Sequence, residues 1–564
     1  MDVSHPNTML TGAQIFLELL HRSGVKYLFG NPGSTELPLM DAMASETRVR
    51  YILGLQEIPV MGMAEGYAVA ARKPGVVNLH IACGLGNAMG MLYNAWCAGS
   101  PLVVTAGQQD RRLRAQEPVL EGDLVAVARP WTKWATEVQR AEDLAGTLRR
   151  AIQTALTPPT GPVFLSLPVD VQSECVAEAD LRPPSPPDCG QRPGKAAIEE
   201  AAKLLALADR PVILAGCRAA ESGAFAEVAR LAEILGAPVY SEVPTSAGRL
   251  PIDPAHPLYA GRLPYWSDGI QAELAQYDVA LAAGMTVFRL YIHHEPECPI
   301  PPRVRLVQLD NDPGQVGKNY PVEAGLVGDP KAGLAELAEA VLSKRTQNEA
   351  RRADERRQDL IAKAAVRREQ LQAELDGARG RRPMTAMTLM ETIGTALPED
   401  GVFVDEAPTA NQNVLARMGL PRDPAAHFAH RGWGLGWGMG FALGVKLAWP
   451  DRPVAALLGD GASLYGIQGL WTAARYRIPV TFVVANNAQY KILKICGDVM
   501  KLPRMCAGDY VGMDLTQPHV NYVKLAESFG VAAWRISEPD ELAERLRAGL
   551  AGDRPVLLDV VIER

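Results

Sequence analysis

None of the eight cysteines (Cys83, Cys97, Cys175, Cys189, Cys217, Cys298, Cys496 and Cys506) belongs to a CxxC pair, and no Cys/His cluster has zinc-ligand spacing. That argues against a structural zinc motif and a disulfide framework. The expectation is a cytoplasmic protein with reduced thiols. The N-terminus lacks a basic stretch followed by an apolar segment, so no signal peptide is expected. No apolar run reaches transmembrane length, and the mean hydropathy of −0.03 suits a soluble globular chain. Neither charge sign dominates. The 57 basic and 64 acidic residues are interspersed and leave a net charge of −7. This excludes a basic groove for nucleic acid and a basic face for membranes. Low-complexity segments and short-period repeats are also missing, so repeat architectures are excluded.

What is there is a chain of 564 residues, 48% of them hydrophobic, too long for one core. Residues 11–23 have helical spacing, with Ile15, Phe16, Leu19 and Leu20 on one face. A short strand at 27–29 runs into the turn Gly30-Asn31-Pro32-Gly33-Ser34, and 52–55 leads to Gln56-Glu57. A small-residue helix is predicted over 64–71, and strands over 75–81, 101–106 and 162–167. Alternating strands and helices indicate a parallel α/β domain over 1–177. Residues 181–194 are rich in proline and read as a linker. A second α/β unit spans 195–345, with strands over 211–215, 238–241, 279–283 and 305–309. The charged stretch 346–382 is predicted to be a solvated helical connector. A third α/β unit spans 383–564, with strands near Val402, Val454, Val480 and Val556. The first and third units share an order of elements that hints at a duplicated domain type.

The chemistry concentrates in the third unit. Gly459-Asp460-Gly461 closes the apolar run 454–458, and Asn486-Asn487 closes the run 480–485. The intervening 464–477 reads as a helix. Parallel sheets bind ligands at the carboxyl ends of their strands, so Asp460 and Asn487 are expected to converge although 27 positions apart. One carboxylate and one amide oxygen suit a hard divalent cation that keeps phosphate and water as further ligands. The two glycines let backbone approach a diphosphate. The plainer alternative is a strand-turn-helix with an Asp N-cap. In the first unit, Glu57 follows a strand and faces an apolar helix. There a desolvated carboxyl can share a proton with a ring nitrogen, or simply be an exposed strand-end acid. The run Gly434-Leu435-Gly436-Trp437-Gly438-Met439-Gly440 suits close packing against a flat ligand with Leu435 as a wedge, or a helix start that needs small residues.

Together these motifs resemble the thiamine-diphosphate-dependent decarboxylase and carboligase superfamily over nearly the whole chain. The resemblance is nearest to its benzoylformate decarboxylase branch. That branch likeness rests on 29–34, 55–57, 78–80, 86–90, 105–109, 287–289 and 470–474. It implies pyrimidine-binding, central and diphosphate-binding domains, and a homodimer or homotetramer with active sites between subunits. By resemblance, Glu57 protonates the cofactor's pyrimidine and Leu435 holds the cofactor bent, beside Gly434. Asp460, the Asn487 side chain and the Gln489 carbonyl bind Mg²⁺, while Gly461, Ala462, Tyr490 and Thr409 contact the diphosphate. Ser34 would hold the carboxylate of a 2-keto acid and His80 would move protons. The implied reaction is non-oxidative decarboxylation of an aryl or branched 2-keto acid through a C2 ylid and an enamine, with carboligation as a side activity.

The pattern also has departures. Tyr291 falls where the branch carries a second active-site histidine, and a small shift would bring His293 or His294 there instead. Ala462 replaces a serine common in relatives. His427, His430, Arg431 and Trp433 crowd the glycine-rich turn, either meeting a larger substrate or packing a loop around Trp433. Lys491 and Lys494 either attract an anionic substrate or face solvent. Competing readings are an acetolactate-synthase-like carboligase, which would carry FAD on 195–345, a 2-hydroxyacyl lyase, and a non-catalytic protein that keeps the cofactor fold.

Overall fold

The computed structural model describes residues 9–185 and 188–564. Three six-stranded sheets follow one another along the chain. In the first, the strands run Arg50–Leu53, Tyr27–Gly30, Gly75–Leu79, Leu102–Gln108, Val163–Pro168, Trp134–Glu137, all parallel. Numbered by position along the chain, that order is 2-1-3-4-6-5. The third sheet has the identical order: His427–Ala429, Val402–Glu406, Val454–Gly459, Thr481–Asn486, Val556–Val561, Ala532–Ile536. The order of elements that the first and third units share in the sequence is thus matched by a shared strand order. The central sheet differs. Its order Tyr259–Arg262, Val239–Ser241, Pro211–Ala215, Val279–Ala283, Arg305–Asp310, Ala324–Val327 is the doubly wound 3-2-1-4-5-6.

The strands missed in the sequence are mostly edge strands. Trp134–Glu137, Tyr259–Arg262, Ala324–Val327, His427–Ala429 and Ala532–Ile536 are short and half-exposed, so no continuous apolar run marks them. The expected linker 181–194 carries no helix or strand among its described residues; 186–187 lie outside them.

Three helices depart from their sequence reading. The helix expected over 64–71 begins seven residues earlier and spans Glu57–Ala71, with the Gln56 side chain capping its first turn. Pro59 hides that start, yet a first-turn proline forfeits no helical hydrogen bond. The single helix expected over 464–477 is two, Asp460–Gly466 and Gly469–Tyr476. At the break, Gly466 lies so close to the Gly436 carbonyl that a Cβ would come within 2.4 Å. The charged helix Gln347–Ala378 is not wholly solvated, because Leu371 and Leu375 enter the core of the third domain. No described helix is long and apolar enough to cross a membrane.

The first and third domains share one hydrophobic core. Its axis is the pair Glu57–Ala71 and Trp437–Ala448, buried on nearly all sides. The glycines at 440 and 444 sit on the other helix's backbone: a Cβ at Gly444 would meet the Met63 carbonyl at 2.0 Å and one at Gly440 the Pro59 carbonyl at 2.3 Å. Much of the glycine density in 434–444 thus serves helix contact rather than a flat ligand.

Candidate active site

In the third sheet the order reverses between Val402–Glu406 and Val454–Gly459, the crevice where such sheets bind ligands. Asp460 opens the short helix at the end of the second of these strands. Its carboxyl is buried; Oδ1 accepts the Gly461 N–H at 2.8 Å, and Oδ2 has no partner in the chain. Burial pushes this carboxyl up to about 6. The Asp460 carbonyl is fixed by the Ser463 and Tyr522 hydroxyls, at 2.8 and 3.0 Å. Asn487 and Gln489 follow the neighbouring strand Thr481–Asn486, and the Gln489 N–H donates to Asn487 Oδ1 at 3.1 Å. Between them Ala488 is held at φ +54°, a left-handed conformation costly for alanine. Hydrogen bonds from Leu515 N–H to the Ala488 carbonyl and from Tyr490 N–H to the Met513 carbonyl strap this turn in place.

The donor set suits a hard divalent cation. One acidic oxygen is desolvated and unpartnered, and amide and carbonyl oxygens lie on the adjacent turn. No group of three His, Cys, Asp or Glu side chains that could hold a metal occurs among the described residues. Tyr490 covers Gly461: a Cβ there would come within 2.3 Å of the ring. Ala462 is buried beside it, and Thr409 is half-buried in the turn after Val402–Glu406.

Gly434 and Leu435 border the same crevice. The Asn94 side chain clamps Gly434 from both sides, donating to its carbonyl at 2.8 Å and accepting its N–H at 2.9 Å. Gly436 caps the following helix at φ +92°, where glycine alone is unstrained. The first N–H groups of that helix are taken by the buried Glu406 carboxyl, with Gly436, Trp437 and Gly438 donating at 2.8–3.0 Å. Burial pushes Glu406 up to about 7 against these donors. Leu435, half-buried, is therefore presented by a turn anchored from two domains.

At the corresponding edge of the first sheet, Glu57 is buried with Asn31 Nδ2 and Asn87 Nδ2 donating to its two oxygens at 3.2 and 3.1 Å. His80 caps the helix Ile81–Ala98, and its Nδ1 lies 2.9 Å from Glu36 Oε2. Glu36 is wholly buried and also accepts from Gly33 N–H, Thr35 Oγ1 and Gly107 N–H. An acceptor at Nδ1 leaves Nε2 as the reactive face of the ring. Ser34, exposed, begins the turn that carries Glu36. Asn31, Glu36, Asn87, Asn94 and Glu406 escaped the sequence reading. The legible signal was the pair of acids, Asp405 and Glu406, ending an apolar strand.

Of the departures, Tyr291 stacks on Trp433, with centroids 5.4 Å apart and 27° between planes. His293 faces solvent near Glu295, and His294 lies 3.4 Å from Asp268. Arg431 is buried against Glu221 and the Ala98 carbonyl, both at 2.7 Å, so it serves the domain junction. Lys494 is tied to Gln489 Oε1 and Asp514 at 2.7 and 2.9 Å, so it is neither free nor solvated. Lys491 is half-buried.

The chain is similar to known proteins over nearly its whole length. Family models for the N-terminal, central and C-terminal domains of thiamine pyrophosphate enzymes match residues 10–127, 198–337 and 410–560. The chain is 36% identical to a benzoylformate decarboxylase of Pseudomonas aeruginosa, covering 96% of this chain and 97% of that one. It is 28% identical to the acetolactate synthase large subunit of Haemophilus influenzae, over 98% of this chain and 95% of that one. Among solved structures, the thiamine diphosphate-dependent 4-hydroxybenzoylformate decarboxylase of Rhodococcus jostii superposes with a TM-score of 0.86 at 31% identity, covering 98% and 99% of the two chains. The benzoylformate decarboxylase of Polynucleobacter necessarius gives 0.84 at 29% identity, with the same coverage.

Proposed function

The chain belongs to the thiamine pyrophosphate enzymes, and from that premise we propose that it decarboxylates an aryl or branched 2-keto acid without oxidation, with carboligation as a side activity. The observation that carries this is the pairing of an unpartnered buried Asp460 oxygen at one sheet edge with a doubly bonded Glu57 carboxyl at the other. Thiamine diphosphate, when bound, supplies the nucleophilic carbon and the electron sink for the departing carbon dioxide.

The chain's own residues do the rest. Asp460, Asn487 and the Gln489 carbonyl hold Mg²⁺, and Gly461, Ala462, Tyr490 and Thr409 line the diphosphate. Gly434 and Leu435 support the cofactor's rings, and Glu57 holds the proton on its pyrimidine. Ser34 takes the substrate carboxylate. His80, with Nδ1 engaged by Glu36, delivers and accepts protons through Nε2. Tyr291, rather than His293 or His294, covers the substrate side. The units 1–177, 195–345 and 383–564, joined through 346–382, are the pyrimidine, central and diphosphate domains of a cytoplasmic enzyme.

Two or four copies assemble, with sites shared between subunits. Leu37 beside Ser34, Leu55 beside Glu57, and Tyr465 on the Asp460 helix are large apolar side chains left 43–60% exposed, which fits burial against a second copy.

The test is carbon dioxide release from benzoylformate, pyruvate and branched 2-keto acids by protein stripped of cofactor and reloaded. Release that needs both thiamine diphosphate and Mg²⁺, with free aldehyde as product, is expected. Cofactor binding without release from any acid would overturn the reading in favour of a lyase or carboligase. One observation favours an acetolactate-synthase-like alternative. The central sheet has dinucleotide-binding order, and a cavity of about 850 Å³, lined by Arg218, Arg289 and Lys318, opens at its point of reversal. A yellow purified protein would support that alternative.

A further inference from the structure

A cavity of about 460 Å³ lies where the central domain, the charged helix Gln347–Ala378 and the third domain meet. Arg262 lines it from the strand Tyr259–Arg262, Arg367 and Arg368 from the charged helix, and Arg417 from the short helix Val414–Arg417. No aspartate or glutamate lines it, although the chain carries a net charge of −7. Four guanidinium groups around one acid-free space create a positive potential that an anion would neutralise. None of the residues assigned above to cofactor, metal or substrate lines this cavity, so it is a separate site.

Three of the four arginines have no acid partner among the described residues. The half-buried Arg262 guanidinium makes neither an ion pair nor a hydrogen bond there. Asp405, a carboxylate on which its charge acts, is taken by the Ala407 N–H and the Asn411 amide. Arg367 and Arg368 each donate once, to the Tyr259 and Ala255 carbonyls at 3.3 and 3.2 Å. A guanidinium carries several N–H donors in a planar fork, so most of theirs are left over. Only Arg417 is paired, with the exposed Glu374 at 2.8 Å. By contrast, Arg351, Arg352 and Arg357 of the same helix each face an acid.

The rest of the wall defines the body of the ligand. Pro244, Leu263, Pro264 and Ala364 supply apolar surface, and the buried Tyr265 Oη bonds nothing in the chain. The volume is that of a small-molecule site. Gln412 and Asn413 line it at φ +46° and +60°, a left-handed pair without glycine of the kind that recurs at ligand clamps. Arginine forks match carboxylate and phosphate oxygens in pairs, and cations on three separate elements call for more than one negative group. We propose that this cavity binds a small organic dianion, a phosphate monoester or a dicarboxylate with a compact apolar body, as an effector that ties the central domain, the charged helix and the third domain together. None of this depends on the reaction that the active site performs.

The test uses the full chain loaded with thiamine diphosphate and Mg²⁺. Phenyl phosphate and isophthalate, both dianions at neutral pH, are titrated by calorimetry against benzoate, the monoanion on the same ring. At least one dianion is expected to bind once per chain, about tenfold or more tighter than benzoate, and to raise the thermal midpoint. Which of the two binds identifies the head group as phosphate or carboxylate. Arg262→Gln and Arg367→Gln should each weaken that binding about tenfold, with Arg367→Lys losing less than Arg367→Gln. Arg192→Gln, at an exposed arginine paired with Glu336, should leave it unchanged. Dianion binding that survives both glutamine variants would overturn the proposal and place the anion elsewhere, the active site included. Equal binding of benzoate, or no saturable binding of either dianion, would also overturn it and leave the arginines a solvated surface. If Arg262→Gln does not fold, the two Arg367 variants decide.

Discussion

Glu36 and Glu57 are both buried carboxyls, but their partners set them apart. Glu57 is held by two amides that can release an oxygen to an incoming ring nitrogen, whereas Glu36 is saturated by a hydroxyl, two backbone N–H groups and His80. Glu57→Gln should therefore lower kcat by about 10²–10⁴-fold, the range of a lost proton-transfer group, with an unchanged far-UV circular dichroism spectrum. Equal turnover would remove Glu57 from the mechanism and favour a non-catalytic fold. In Glu36→Gln the ring of His80 loses its anionic acceptor. A fall in kcat of about 10–100-fold with little change in KM is expected. A fall in stability alone would make the contact merely structural. Asp460 yields a third expectation. Burial pushes its carboxyl up to about 6, so protons would compete with the proposed Mg²⁺. Mg²⁺ affinity, followed by titration, should be level above pH 7 and weaken about tenfold per pH unit well below 6.

At the scale of elements, the two central helices explain why the glycine run was only half legible. Its residues look alike in sequence, yet Gly436 supplies a left-handed cap while Gly440 and Gly444 admit a neighbouring backbone. Gly444→Ala places a methyl 2.0 Å from the Met63 carbonyl, which cannot move without shifting its helix. A loss of about 1–3 kcal/mol in urea unfolding is expected, as for an overpacked core. The start of the helix at Glu57 was hidden because that helix is buried on nearly every side and so has no amphipathic stripe. The Asp460 and Asn487 turns were legible because each ends an uninterrupted apolar strand. Their clamps were not, since Asn94 holds Gly434 from 340 positions away.

For the whole molecule, the junction of domains carries opposing titrations. His430 is buried and His427 half-buried, and desolvation of their rings pushes them down to about 4 and 3. The unfolded chain takes up their protons first, so the stability they contribute is full above about pH 6.5 and is lost as pH falls towards 4. Glu65, Glu242 and Glu406 are pushed up to about 7 by burial and act in the other direction: their folded forms bind protons first, so their burial cost falls as pH drops below 7. A His427→Gln/His430→Gln variant isolates the histidines. Relative to the parent, its unfolding free energy should rise steadily as pH falls from 6.5 to 4; a constant difference would show that the rings are hydrated in the folded state. The sequence by itself determined the α/β class, the three units, and the strand-end residues Glu57, Asp460 and Asn487, because hydrophobic periodicity and glycine turns are local signals. Only the tertiary structure decided the common strand order of the outer domains, the partners of Glu57 and His80, and the arginine-lined cavity. Those depend on groups set well apart along the chain, 26 to 44 positions for the partners of Glu57 and His80, where burial and hydrogen bonding act on distance in space and leave no trace in local spacing.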